Sequence, residues 1–141
     1  MKTLYTAHAH VTNGREGHAE TDDKKISVDL SRPGSTGPGT NPEQLFACGY
    51  AACFGGAVQH IAKTKNLDVG QVTVHADVDL NQDDNGFFIS ATLNVDLPTL
   101  DQAEAEALVA ATHEFCPYSK ATRGNIAVTL QANGKPLAKA A

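Results

Sequence analysis

The strongest constraint on the fold is an apolar segment at residues 41–56, NPEQLFACGYAACFGG, that carries helix signals. Asn41 suits an N-cap position, Pro42 the first helical position and Glu43 the first turn. We therefore predict a helix that starts at Pro42 and runs to about Asn66, with its central part buried because apolar residues surround its axis. The glycines and alanines along it would let a second helix or a second subunit approach closely.

Alternating apolar residues predict strands on both sides of this helix. The expected strands cover residues 4–12, 26–30, 72–80, 87–97 and 126–130, and the glycine-bracketed turn NGREG at 13–17 makes the first one part of a hairpin. A second helix is expected at 102–115, with Thr99 and Gln102 as its capping box. Pro117 ends that helix, since proline disfavours helical geometry in the residue before it. This order predicts one α+β domain over residues 1–141, with mostly antiparallel sheet.

Composition and charge limit the classes of function. Hydrophobic residues make up 41% of the chain and charged residues 19%, which indicates a globular protein. The formal net charge of −5 gives no electrostatic footprint for nucleic acid. We find no apolar window of about 18 residues and no secretion signal, so we expect neither a membrane span nor export. The three cysteines form no CxxC pair and no even disulfide framework, so the expected compartment is the reducing cytoplasm.

Cys53, in the middle of the first predicted helix, is either a small core residue or a nucleophile. A nucleophilic cysteine needs a thiolate, and a thiolate needs a nearby positive charge. The helix dipole acts only near the first turn, and Lys63 lies about 15 Å further along the axis. An activating cation must therefore come from another segment, and the arginines of the chain are Arg15, Arg32 and Arg123.

Glu43 could hold such an arginine, or it could only complement the helix dipole. Along a straight helix Glu43 and Cys53 are about 15 Å apart. An arginine must therefore bridge them, the helix must bend, or another chain must contribute. Arg15 lies in the NGREG turn, where it could equally be a solvated hairpin residue.

The other two cysteines carry weaker signals. Cys116 precedes a proline at a helix end, where a thiol can be partly exposed, although simple packing is an equal alternative. Cys48 lies about 140° around the helix from Cys53, so we expect no disulfide between them and assign Cys48 to the core.

Two pairs of residues that include histidine could contribute metal ligands. His8 and His10 share a strand face, and His113 shares a helix face with Cys116. Neither pair supplies the three or four ligands that zinc requires. A zinc site assembled from His113, Cys116 and Cys53 is the remaining, less favoured metal hypothesis.

Two long segments, NPEQLFACGYAACF at 41–54 and HEFCPYSKATRGNIAV at 113–128, resemble the signature segments of the organic hydroperoxide resistance (Ohr) proteins within the Ohr/OsmC family. The NGREG turn resembles the arginine turn of that family, and GPGTNPEQ resembles its loop–helix junction. The resemblance extends over essentially the whole chain. Its length and the CPYS sequence favour the Ohr branch over OsmC itself.

The resemblance implies an α+β fold with mostly antiparallel sheets around two central helices, in an intertwined homodimer. It also implies a cysteine-based peroxidase, without metal, haem or another cofactor, that acts on alkyl and fatty-acid hydroperoxides. By motif position Cys53 would be the peroxidatic cysteine and Cys116 the resolving cysteine, while Arg15 and Glu43 would hold and activate the thiolate. The expected reductant is dihydrolipoamide or a lipoylated protein.

Two alternatives stay open at this point. The chain could be an OsmC-like peroxidase with broader substrates, or a non-enzymatic redox sensor that uses the same thiols. Cys48 departs from the family pattern, in which we expect a small residue such as alanine at this position.

Overall fold

The computed structural model describes residues 1–138 of the 141-residue chain, as two compact units, residues 1–45 and the residues from 46 onward. The helices are α1 (Pro42–Thr64), α2 (Gln102–Phe115) and α3 (Pro117–Thr122), and the strands are β1 (Ala9–Thr12), β2 (His18–Thr21), β3 (Ser27–Asp29), β4 (Thr73–Asp83), β5 (Gly86–Asp96), β6 (Val128–Ala132) and β7 (Lys135–Pro136). The predicted α+β class is confirmed. The single domain over 1–141 stays a prediction.

The first unit contains a three-stranded antiparallel sheet in the order β1-β2-β3. The predicted hairpin is present, but only Ala9–Thr12 of the expected strand 4–12 pairs within the described residues. Its NGREG connection is a short 3-10 turn, Gly14–Glu16, entered through Asn13 and Gly14 in left-handed conformations at φ 62° and 53°. Gly17 closes the turn, and a Cβ there would lie 1.7 Å from the Thr12 carbonyl oxygen. Glycine is therefore required at that position.

A glycine- and proline-rich loop leads from β3 to α1 and is closed by backbone bonds. Ser31 N donates to Thr40 O at 2.8 Å, and Thr40 N donates to Asp29 O at 2.9 Å. The helix then begins as the sequence predicts, because the Asn41 side chain accepts a hydrogen bond from Gln44 N at 2.9 Å.

The second unit is built on a four-stranded sheet in the order β4-β5-β6-β7. Its β4–β5 and β6–β7 pairs are antiparallel and its β5–β6 pair is parallel. The hydrophobic core lies between this sheet and the helices. Its large, fully buried apolar side chains come from α1, β5, the segment after β5, and α2: Tyr50, Phe54, Val58, Leu93, Val95, Leu97, Leu108 and Val109.

Only one side of α1 enters this core, so the expected burial of the whole central part is wrong for the single chain. Cys48, Ala52 and Gly56 are exposed, and they follow one another at a four-residue spacing along one helix face. The assignment of Cys48 to the core is corrected by the same observation.

Helix α1 also corrects the expectation that no apolar window of membrane-spanning length exists. Over 18 residues its mean hydropathy reaches 1.3, and by length and composition alone it could cross a membrane. The physical reason is its many alanines and glycines, with charged residues only near the two ends. A core helix of a soluble protein gives the same signal. Only 28% of the window is buried, so most of it remains available to other contacts.

The start of α2 differs from the predicted capping box. Asp101 is the N-cap, and its carboxylate accepts a hydrogen bond from Glu104 N at 2.8 Å. The Thr99 hydroxyl instead donates to Asp68 O at 2.7 Å, and Gln102 donates to Ala132 O. Both residues of the predicted box are therefore used in tertiary contacts.

Two short elements, α3 and β7, were not predicted, and the last long strand is Val128–Ala132 rather than 126–130. The predicted end of α2 before Pro117 is confirmed, since α2 ends at Phe115. The chain does not enter a loop there but starts α3 with Pro117 at its first position.

The cap of α2 gives a stability prediction. Replacing Asp101→Ala should lower the free energy of unfolding by about 1 kcal/mol, because the Glu104 N–H loses its acceptor at the helix start. Urea denaturation followed by circular dichroism measures the change. Asp101→Asn is the matched control and should stay close to wild type, since asparagine caps about as well. An equal loss in both variants would contradict the capping role.

Candidate active site

Cys53 and Cys116 meet in the second unit. Their sulfur atoms are 3.6 Å apart, with the Cys116 thiol donating to the Cys53 sulfur. Cys53 lies half-buried on α1, and Cys116 is fully buried at the junction of α2 and α3. The two sulfurs are in contact but not bonded, since a disulfide bond is about 2.05 Å long.

The sequence CP at 116–117 creates this junction. Pro117 disfavours helical geometry at Cys116, which adopts φ −62° and ψ 127°, and the chain resumes as α3 one residue later. The backbone N–H of Cys116 still donates to Thr112 O at 2.8 Å. Cys116 therefore stands at a fixed break between two helices. Of the two alternatives for its side chain, partial exposure and packing, its complete burial supports packing.

The surroundings of Cys53 act on its thiol in opposite directions. Burial raises the pKa of Cys53 above its ordinary value, and the neighbouring Cys116 sulfur raises that pKa further, because two thiolates side by side would repel each other. The backbone N–H of Tyr118, in the first turn of α3, lowers the pKa because it favours the thiolate. Since burial is the largest of these effects, the thiolate requires additional stabilisation.

Aromatic rings pack beside the two thiols. The ring of Tyr118 lies 5.7 Å from that of Tyr50 and 6.0 Å from that of Phe46, measured between centroids. Gly49 makes this contact possible, because a Cβ there would come within 3.0 Å of the Tyr118 hydroxyl. Phe54 continues the row along α1, with its ring 6.4 Å from Tyr50.

A buried cluster of three hydroxyls lies under α3 and was not foreseen from the sequence. The Tyr50 hydroxyl is 2.9 Å from Ser119 Oγ and 3.2 Å from Thr122 Oγ1. Tyr50 and Ser119 are fully buried and Thr122 is 6% exposed. The spacing of Ser119 and Thr122, three residues apart after the CPY sequence, is the signal that could have suggested a polar helix face.

The other two predicted site residues meet in the first unit. Arg15 Nη1 donates to Glu43 Oε2 at 2.9 Å and Arg15 Nη2 donates to Glu43 Oε1 at 2.7 Å. This is a bidentate ion pair, the stronger form of a guanidinium–carboxylate contact. The hydrogen bonds from Arg15 hold the pKa of the Glu43 carboxyl below its usual range. The predicted residues thus form two pairs, Arg15 with Glu43 and Cys53 with Cys116.

The described side chains do not support the zinc hypothesis. Within residues 1–138, no group of three or more histidine, cysteine, aspartate or glutamate side chains is arranged to hold a metal ion. His113 is 3% exposed, and burial together with the positive charge of Arg123 lowers its pKa. Its Nδ1 has no hydrogen-bond partner among the described residues.

Comparison with known proteins relates this arrangement to a family. The OsmC-like protein family matches residues 34–131. The organic hydroperoxide resistance protein of Xanthomonas axonopodis pv. citri is 50% identical over 134 residues, covering 92% of this chain and 94% of that protein. OhrB of Bacillus subtilis is 49% identical over 138 residues, covering 91% of this chain and 97% of that protein.

Solved structures agree with the sequence comparison. The crystal structure of Bacillus subtilis OhrB covers 92% of this chain and 99% of its own, with a TM-score of 0.88 and 47% identity. An organic hydroperoxide resistance protein from Legionella pneumophila covers 93% of this chain and 98% of its own, with a TM-score of 0.88 and 45% identity. This chain therefore belongs to the OsmC-like family and, within it, to the organic hydroperoxide resistance proteins.

Proposed function

We propose that this protein is a cysteine-based peroxidase that reduces organic hydroperoxides to alcohols. The contact between the Cys53 and Cys116 sulfurs at 3.6 Å carries the proposal, because it places a second thiol where it can close a disulfide on an oxidised first one. The names of its relatives, organic hydroperoxide resistance proteins, support the substrate class.

In the first step the Cys53 thiolate attacks the terminal oxygen of the hydroperoxide. The O–O bond breaks, that oxygen stays on sulfur as a sulfenic acid, and the alkoxide takes a proton and leaves as an alcohol. Cys53 is assigned this step because it is half-buried and thus reachable, whereas Cys116 is fully buried. The Tyr118 N–H that favours the thiolate belongs to the same site.

In the second step Cys116 closes the disulfide. Its sulfur attacks the Cys53 sulfenic sulfur, an S–S bond forms, and the hydroxyl leaves as water. A dithiol then reduces the disulfide by exchange and returns both thiols. We propose dihydrolipoamide or a lipoylated protein as this reductant. The cycle requires no metal or organic cofactor.

The aromatic wall beside the thiols supports a preference for alkyl over hydrogen peroxide. The partly exposed rings of Phe46 and Tyr118 provide apolar surface in this row, and the fully buried rings of Tyr50 and Phe54 lie behind them. Burying an alkyl tail against such a surface contributes about 0.8 kcal/mol per methylene, which hydrogen peroxide lacks.

Arg15 is proposed as the cation that offsets the cost of a buried thiolate at Cys53. Its guanidinium stays charged at every physiological pH and can bind more than one anion. The bidentate contact with Glu43 fixes its orientation. We propose that Glu43 positions Arg15 and that Arg15 acts on Cys53.

A homodimer is proposed from the open face of α1. Ala51, Ala52, Gly55, Gly56 and Gln59 line a groove of about 390 Å³ together with residues 72–74 of β4 and the segment before it. Small residues permit the close approach of another backbone, so we propose a second copy of this chain as the occupant. That contact would also cover the apolar window that the single chain leaves open. The proposed location is the cytoplasm, where the thiols stay reduced, with no role for nucleic acid or membrane.

The mechanism predicts different defects for the two cysteines. Cys53→Ser should reduce turnover of tert-butyl hydroperoxide with dihydrolipoamide by at least about a thousandfold, since the nucleophile is lost. Cys116→Ser should still consume one equivalent of peroxide and leave a sulfenic acid at Cys53, detectable with dimedone by mass spectrometry. Cys48→Ser is the matched thiol control and should turn over normally. Normal turnover by Cys53→Ser would contradict the mechanism.

The same assay separates the alternative functions. Hydrogen peroxide in place of the alkyl hydroperoxide should be a poorer substrate, and thioredoxin a poorer reductant than dihydrolipoamide. Equal use of both peroxides would favour an OsmC-like broad-range peroxidase. Oxidation of one equivalent without turnover would favour a redox sensor.

The role of Arg15 predicts a pH effect. Arg15→Ala should raise the pKa of Cys53, so alkylation by iodoacetamide shifts to higher pH and peroxide reduction at pH 7 falls by about tenfold or more. Arg32→Ala is the matched control, because it removes the same charge from an exposed residue paired with Glu16. Arg15→Lys should restore only part of the effect, because lysine cannot make the bidentate contact. An unchanged alkylation profile in Arg15→Ala would remove Arg15 from this role.

The dimer proposal is tested at Gly56. A Cβ at this position meets nothing within 4 Å in the single chain, so Gly56→Leu should fold. It should nevertheless dissociate the dimer, because a bulky side chain would separate the two copies. Light scattering measures the change from twice the 14.8 kDa chain mass to one chain. Ala110→Leu, which introduces the same side chain at an exposed position of α2, is the control. A dimeric Gly56→Leu variant would contradict the proposed interface.

A further inference from the structure

Helix α3 is too short to hold its place alone. It has six residues, and its N-cap residue Cys116 makes no side-chain capping bond. Isolated helices shorter than about 12 residues are marginal in water, so tertiary contacts must fix this one. Its position matters because α3 starts directly after Cys116 and carries the Tyr118 N–H that contacts Cys53.

The hydroxyl cluster of Tyr50, Ser119 and Thr122 supplies such contacts from α1. Each hydroxyl has one hydrogen to donate. Thr122 donates its hydrogen to Ser119 O at 3.1 Å, so its oxygen accepts from the Tyr50 hydroxyl. The Tyr50 oxygen then accepts from Ser119. The chain of bonds begins and ends at Ser119, and all three hydroxyls are satisfied.

Tyr50 connects this cluster to Cys53 through α1. The two residues are three positions apart on the same helix, so they lie on neighbouring parts of one face. Ser119 is three positions beyond Cys116 in the same way. The bond between Tyr50 and Ser119 therefore joins the two segments that carry the thiols, one turn away from the sulfur contact.

We propose that Tyr50, bonded to Ser119 and Thr122, is a positioning residue that holds Cys116 within disulfide range of Cys53. The inference rests on the proposed function, in which these two cysteines form the redox disulfide. From 3.6 Å the sulfurs must approach by roughly 1.5 Å to bond. Reacting atoms held at about 3–3.5 Å are close to the geometry of attack, and loosening α3 would spread that distance.

The inference does not depend on the Tyr118 side chain. The Tyr118 ring is 40% exposed and packs over Gly49, whereas the Tyr50 hydroxyl is fully buried and bonded on both sides. Removal of the Tyr50 oxygen leaves the aromatic packing in place but deprives Ser119 of its acceptor. The expected defect is thus specific to the placement of α3.

The test measures the equilibrium between the Cys53–Cys116 disulfide and glutathione redox buffers in a Cys48→Ser background. In each exchange, oxidised glutathione accepts two electrons from the two thiols and is released as two molecules of reduced glutathione. Tyr50→Phe should lower the equilibrium constant for the protein disulfide about tenfold, which corresponds to a reduction potential about 30 mV less negative. This measurement uses no hydroperoxide. Its result is therefore independent of whether the protein is active as a peroxidase.

Thr112→Val is the matched control. Thr112 is also fully buried, and its hydroxyl donates to Leu108 O at 2.8 Å, outside the cluster. The Thr112→Val variant should have a lower melting temperature but an unchanged redox equilibrium. Ser119→Ala, which also removes one hydroxyl from the cluster, should shift the equilibrium in the same direction.

The double variant Tyr50→Phe with Ser119→Ala provides the decisive comparison. It should shift the equilibrium no further than Tyr50→Phe alone, because Tyr50→Phe already removes the bond that Ser119→Ala would break. Additive shifts, or a Tyr50→Phe shift no larger than that of Thr112→Val, would overturn the inference. Melting curves for every variant establish that the folded protein is being measured.

Discussion

The contact between α1 and the junction of α2 with α3 is the constraint on which the candidate chemistry depends. It brings together two thiols that are 63 positions apart in the sequence, with a sulfur separation of 3.6 Å. Pro117 makes the junction by interrupting one helix and starting the next. Gly49 makes the contact close by leaving room for the Tyr118 ring.

The same contact creates an electrostatic conflict. Burial brings Cys116 and an apolar wall to Cys53, but burial also raises the pKa of Cys53 and disfavours the reactive thiolate. Among the described residues of the second unit, the backbone N–H of Tyr118 lowers the pKa of Cys53. We propose that Arg15 supplies the rest of the stabilisation that the Cys53 thiolate needs. The Glu43 carboxylate holds the Arg15 guanidinium in a fixed orientation. Under this proposal the charge that activates Cys53 comes from a residue distant in the sequence.

Capping and proline signals predicted the helix ends correctly where no tertiary contact competed for the same side chain. Asn41 caps α1 and Pro117 ends α2 as expected, because each acts on its immediate neighbours. Thr99 was assigned to the wrong task, since Asp68 takes its hydroxyl and Asp101 caps the helix instead. Motif resemblance named both cysteines and the Arg15–Glu43 pair. It could not reveal the Tyr50 cluster, because Tyr50 lies about 70 positions from Ser119 and Thr122 and meets them only in the folded chain.

Exposure could not be predicted for α1 either, because hydropathy does not say which partner covers an apolar face. The small residues of α1 lie on two faces of the helix, one packed against α3 and one exposed. Gly49 admits the Tyr118 ring from the same chain, whereas Ala52 and Gly56 face outward beside Cys48. The first face packs against Tyr118 of α3, and the second serves nothing within the described residues of one chain. The apolar character of α1 on every side is explained if its outward face binds a partner, which we propose is a second copy of this chain. The redox site and the proposed dimer interface then lie on different faces of the same helix.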